Sequence, residues 1–114
     1  MHLDRALDYK DQPVHSAVEY ALDALIKAQF PNGAWSQRYD SFPDPKKFPV
    51  RKASYQKTWS RTFPQKRYYT FYTFNDNSIA DVVRTMIEAR EIYGLKKYQA
   101  AAEKAGDFIL SAQM

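Results

Sequence analysis

Residues 17–30 read AVEYALDALIKAQF, and residues 101–114 read AAEKAGDFILSAQM. An offset of 84 aligns Ala17 with Ala101, Glu19 with Glu103, Ala21 with Ala105, Asp23 with Asp107, Ala28 with Ala112 and Gln29 with Gln113, six identities in fourteen positions without a gap. Both copies carry apolar residues at helical spacing. The same offset brings Tyr9 onto Tyr93, so residues 3–9 correspond to the last turns of a helix. Repeats of one supersecondary unit bury their apolar faces against neighbours, not alone. The expectation is an all-α fold of antiparallel αα-hairpins, with this chain a fragment of a longer helical-repeat protein and poorly stable in isolation.

The helices can be placed from their apolar positions and caps. Asp11 is a fitting N-cap with Pro13 in the first turn, and Val14, Ala17, Val18, Ala21, Leu25 and Ala28 follow at helical spacing, predicting a helix over 12–29. Asn75 or Asp76 can cap a second over 76–93, whose apolar face is Ile79, Val82, Val83, Met86, Ile87 and Ile92, with Gly94 as its stop. A third over 95–113 carries Tyr98, Ala101, Ala102, Ala105, Ile109 and Ala112, with Gly106 read as a close-packing position. Between the first two lies a long irregular loop, 30–75, in which Tyr68 to Phe74 is rich enough in aromatics and threonine for a short extended segment.

That loop holds most of the chain's chemistry. Between Trp35 and Phe74 there are nine Lys or Arg against Asp40 and Asp44, a balance of +7. The whole chain carries +4, which leaves −3 for the rest. The same stretch holds twelve aromatics and four of the six prolines. A long segment without helical period is more often functional or disordered than neutral, and this many aromatics argue against disorder. With no cysteine, disulfide frameworks and thiolate metal sites are excluded, and the compartment stays open. No apolar run approaches the ~20 residues needed to span a bilayer. Residues 1–4, MHLD, lack the basic and apolar regions of a signal peptide. His2 and His15 have no metal-ligand spacing and are expected at the surface.

The helix end at residues 29–35, QFPNGAW, has a physical reading of its own. Gly33 can take a left-handed turn, Gln29 can bond backbone groups at the helix end, and Trp35 can fold back on a neighbouring helix. An indole at a cleft mouth can instead stack on a sugar ring, so both roles stay open for Trp35.

Residues 29–39, QFPNGAWSQRY, followed after the loop by residues 72–80, YTFNDNSIA, resemble the pectic acid lyase family of α/α-toroid pectate lyases. The resemblance covers about residues 3–114. Ala34 stands where the family pattern has a glycine, Ser36 where it has a proline, and the basic aromatic insertion is longer than in the simplest members. The resemblance implies an incomplete α/α toroid and calcium-dependent cleavage of polygalacturonate by β-elimination. It makes Asp76 a calcium-binding or substrate-facing carboxylate supported by Asn75, although from the residues alone Asp76 reads equally as a helix cap. Trp35, Gln37, Arg38 and Tyr39 become candidates to line the substrate cleft, though a solvated arginine or a salt bridge is an equal reading of Arg38. The family's upstream Asp-Asn element and its arginine base would fall outside residues 1–114. The chain alone is therefore expected to be inactive, and its catalytic residues stay unknown. Further implied are a secreted or periplasmic bacterial enzyme whose signal is not contained in this piece, a monomer when complete, and no nucleic-acid or membrane partner.

The chemistry behind this follows from the substrate. The C5 proton of a uronate lies α to an ionised carboxylate, which resists further negative charge. A cation on that carboxylate and a positioned base allow the proton to leave and the C4–oxygen bond to break, without consuming water. Calcium would need oxygen ligands. The nearest enzymatic alternative is a toroid glycoside hydrolase, with Asp40 or Asp44 opposed to Asp76. A terpene cyclase would need aspartate-rich motifs that are absent. A non-enzymatic alternative takes the basic aromatic loop as a nucleic-acid platform.

Overall fold

The computed structural model describes residues 1–114 other than 53, 55, 56, 59, 61, 63–66, 75 and 114. Four α-helices and one 3₁₀ turn are present, with no strand among the described residues. They are α1 (His2–Ala6), α2 (Gln12–Lys27), the 3₁₀ turn Tyr68–Thr70, α3 (Ser78–Tyr93) and α4 (Lys96–Ser111). The Tyr68–Phe74 stretch thus begins with a helical turn where an extended segment was expected.

Local chemistry explains where each helix starts and stops. Asp11 caps α2 by accepting from the Val14 N–H at 3.1 Å, with Pro13 in the first turn. At Asp8 and Tyr9 the chain takes two successive positive φ angles, 53° and 60°, to turn from α1 into α2. A second left-handed pair, Asp76 and Asn77 at 53° and 56°, delays α3 to Ser78. Asp76 does not hold the N-cap position; Asn77 does, without a side-chain cap bond. Gly94, at φ 71°, stops α3 with its N–H on the Arg90 carbonyl. Two residues, Gly94 and Leu95, separate α3 from α4.

α3 and α4 form the best-packed pair, an αα-hairpin. Their shared face is Ile79, Met86 and Ala89 from α3 against Tyr98, Ala101, Ala105 and Phe108 from α4, all buried. The apolar face expected of α2 needs correction. Ala17 and Ala21 are exposed, while Leu22 is buried and Val18, Leu25 and Ile26 are half-buried. The neighbours differ, since α2 packs with α1 and α3 while α4 packs along α3. The repeat is preserved in sequence and helix type, yet its equivalent alanines sit in different environments.

The helix-end motif ties α2 to α4. Gly33 adopts φ 98°, and a Cβ there would sit 2.1 Å from the Lys104 carbonyl oxygen, so only glycine permits the approach. The Gln29 amide donates to the carbonyls of Gly33 at 2.9 Å and Ala101 at 2.8 Å. Trp35 is 1% exposed, and its indole N–H donates to the Leu25 carbonyl at 2.8 Å. Gly106, by contrast, has no heavy atom near its missing side chain, so it is not a close-packing position.

A smaller cluster joins α1 to the rest. The Asp4 carboxylate is fully buried and accepts from the Tyr93 hydroxyl at 2.7 Å, and it lies 2.9 Å from His15 Nδ1. His15 is therefore half-buried and partnered, not the surface histidine expected from sequence. His2 is exposed and meets Glu88 of α3.

Candidate functional site

Beside the amino end of α3, residues 36–40, the 3₁₀ turn and Asp76 come together. The buried Ser36 shapes the first of these. Its N–H donates to the Tyr39 hydroxyl at 2.9 Å, and its hydroxyl donates to the Arg38 carbonyl at 3.1 Å. The Arg38 N–H then donates to the Tyr69 carbonyl at 2.9 Å, fastening this loop to the 3₁₀ turn.

Two guanidinium groups lie against the Tyr69 ring, Arg38 at 5.1 Å and Arg67 at 5.7 Å from its centroid, within cation–π range. Arg67 also donates to the Tyr69 hydroxyl at 3.1 Å and to Asp40 at 2.9 Å. The bond to Tyr69, followed by the charge of Asp40, raises its pKa above the ordinary value. Arg67 is thus an anchored cation, neutralised locally by Asp40. Opposite, Gln37 Nε2 donates to Asp76 Oδ2 at 2.5 Å, 39 positions away in sequence. Gln37, Arg38, Tyr68, Tyr69 and Asp76 line one open depression of about 470 Å³.

The residues expected at a cleft divide accordingly. Gln37, Arg38 and Asp76 meet. Trp35 does not join them, since at 1% exposure it has no ring face left for a sugar, and its role is packing. Tyr39 turns toward the neighbouring hollow, its ring 6.2 Å from that of Phe30 and its hydroxyl bonded to Ser36. Burial pushes its phenol pKa up. Asn75 lies outside the described residues. Tyr68 and Tyr69 were not anticipated; the only sequence signal was an aromatic doublet next to Arg67.

Some rings of the aromatic loop pack around Phe30 and α4. Phe30 is buried against Phe48 at 4.9 Å and Tyr72 at 5.1 Å, and Tyr72 continues to Phe108 of α4 at 5.5 Å. Of the carboxylates a glycoside hydrolase would use, Asp40 pairs with Arg67 and Asp44 accepts from the Lys46 N–H in its own turn; both line the Phe30 hollow, which shares Arg38 with the depression that Asp76 lines.

A calcium ion takes about six to eight oxygen ligands. Asp76 can supply one carboxylate, and no three His, Cys, Asp or Glu side chains are grouped to hold a metal among the described residues. These residues do not by themselves fit a calcium site. The depression can instead do two things: present the Arg38 guanidinium to an anion, and present a carboxylate, oriented by Gln37, to hydroxyl groups or a cation.

The sequence profile of the pectic acid lyase family matches residues 5–114. No curated protein and no solved structure matches the chain.

Proposed function

The chain belongs to the pectic acid lyase family, and from that premise we propose that the Gln37–Arg38–Asp76 depression receives a galacturonate unit of pectate for cleavage by β-elimination. The observation that supports this reading is the Gln37–Asp76 hydrogen bond, which joins positions 39 apart in sequence at a depression lined by both the Arg38 cation and the Asp76 carboxylate. Arg38 pairs with the uronate carboxylate through two parallel N–H donors, a geometry suited to guanidinium. Asp76, held by Gln37, accepts from sugar hydroxyls, and the faces of Tyr68 and Tyr69 exclude water beside the ring. In the reaction the C5–H bond breaks and its proton passes to a base, a C4=C5 double bond forms, and the 4-linked oxygen leaves. The residues of this depression supply binding, orientation and charge. A polymer of this size would be met outside the cytoplasm, so the proposal includes a secreted or periplasmic location. No helix among the described residues is long and apolar enough to cross a membrane.

The test is an assay of the protein from its complete reading frame on polygalacturonate, followed by the ultraviolet absorbance of unsaturated ends. The reading expects absorbance to rise, and Arg38→Ala and Asp76→Ala each to lower the rate at least tenfold. Calcium dependence, implied by the family, is checked by adding a chelator, which should stop product formation. New reducing ends without the absorbance would replace elimination by hydrolysis, and an unchanged rate in Asp76→Ala would reduce that residue to a turn former.

A further inference from the structure

A further hollow, of about 990 Å³, lies between Val50, Arg51, Lys52 and Ser54 of the loop and the carboxyl-terminal half of α4 and shares no lining residue with the Gln37–Asp76 depression. Its volume is at the upper end of ordinary ligand pockets, about 300–1,000 Å³. Three cations border it: Arg51 and Lys52 from the loop and Lys104 from α4. Asp107 is the acidic member of its lining. Phe74 forms a platform within it, stacked on Phe108 at 5.3 Å with 12° between the rings. One face of Phe74 is thereby used, and with 65% of the residue still exposed the other is open. An exposed phenylalanine held flat by a ring behind it has a fixed orientation, unlike a solvated side chain.

We infer that this hollow is a second polyuronate-binding site, in which Phe74 stacks against a sugar ring while Arg51, Lys52 and Lys104 take carboxylates. The inference rests on the pectate reading above and extends it to a longer stretch of polymer. Only two peptide steps separate Phe74 from Asp76, so their Cα atoms are no more than about 8 Å apart. A polymer lying over the first depression can therefore continue onto the platform. Cations and aromatic faces alone would also suit a single-stranded nucleic acid. Asp107 favours the polyuronate, whose ring hydroxyls donate hydrogen bonds to a carboxylate beside every charge, whereas the sugar–phosphate backbone of DNA carries no donor; repulsion by Asp107 is common to both polymers.

The experiment measures retardation of the chain by affinity electrophoresis in gels containing polygalacturonate or single-stranded DNA. Wild type is compared with Phe74→Leu, which removes the ring and keeps an apolar group, with the exposed pair Arg51→Gln/Lys52→Gln, and with Arg38→Ala. Unchanged circular dichroism establishes that each variant is folded. The inference expects roughly three- to tenfold weaker polygalacturonate binding in Phe74→Leu, the range of one aromatic contact, and a similar loss with reduced salt dependence in the double variant. Weakening in Arg38→Ala with wild-type binding in the other two would overturn the second site and leave the proposed function standing. No binding of polygalacturonate by wild type would overturn both. Tighter binding of DNA than of polygalacturonate, lost in Phe74→Leu, would assign the hollow to nucleic acid and overturn the inference.

Discussion

Gly33 and Gly106 show how two glycines in one repeat protein differ in their reason for being there. At Gly33 both the positive φ and the Lys104 carbonyl forbid a side chain, so Gly33→Ala should lower unfolding stability by more than about 1 kcal/mol. Gly106→Ala meets open space inside a helix and should raise it by about 0.5–1 kcal/mol. Denaturant midpoints at unchanged slope measure both. Trp35→Ala should cost about 3–5 kcal/mol, because it empties a buried site and strands the Leu25 carbonyl. The turn at Gly33 and the bonds of Gln29 were legible from spacing, since both act locally. The fate of Trp35 was not, because burial is decided by what α4 and the loop bring to it. Asp76 likewise reads as a cap until its left-handed φ is known; only then does its pairing with Gln37 become intelligible.

Among the elements, α1 is held by a polar cluster on α2 and α3 more than by apolar contact. Burial alone would raise the Asp4 pKa, but the hydrogen bonds from Tyr93 and His15 and the histidine's charge outweigh it and set Asp4 below its ordinary 3.8. His15 is raised above 6.5, first by its bond to Asp4, against the opposing effect of burial, and further by the charges of Asp4 and Glu19. The signs then bracket a window. Stability from His15 is complete below about pH 6.5 and is lost as pH rises through its higher folded value; stability from Asp4 is complete above about pH 3.8 and is lost as pH falls through its lower folded value. Denaturant midpoints across pH 3–9 should therefore peak between those limits, and Asp4→Asn should flatten both flanks. Identical profiles for the two proteins would deny the cluster this role. Three helical segments were readable from periodicity and the first from the repeat, but this cluster was not, because its members share no motif and meet only through the α1–α2 turn. The exposed face of α2 has the same origin: spacing reports that a stripe exists, whereas its buried side depends on what packs against it.

The molecule as a whole is elongated, with a radius of gyration of 16.4 Å where a compact chain of this length would have about 13 Å. The two hollows proposed to bind polymer both involve the basic loop, which places cations where an anionic polymer would lie and predicts steering that weakens with salt. Methyl esterification of polygalacturonate removes the charge of the carboxylates while keeping the sugar rings, and so isolates charge recognition, within which Arg38→Ala measures the share of that guanidinium. The decisive measurement is the affinity-electrophoresis mobility of wild type and Arg38→Ala in gels of polygalacturonate and of its fully esterified form. The account predicts strong retardation of wild type by the acid form alone, and a loss of roughly tenfold or more in Arg38→Ala, as expected for a charge-assisted bond worth about 1.5–3 kcal/mol. Equal retardation by the two polymers, or an Arg38→Ala variant that binds like wild type, would contradict it.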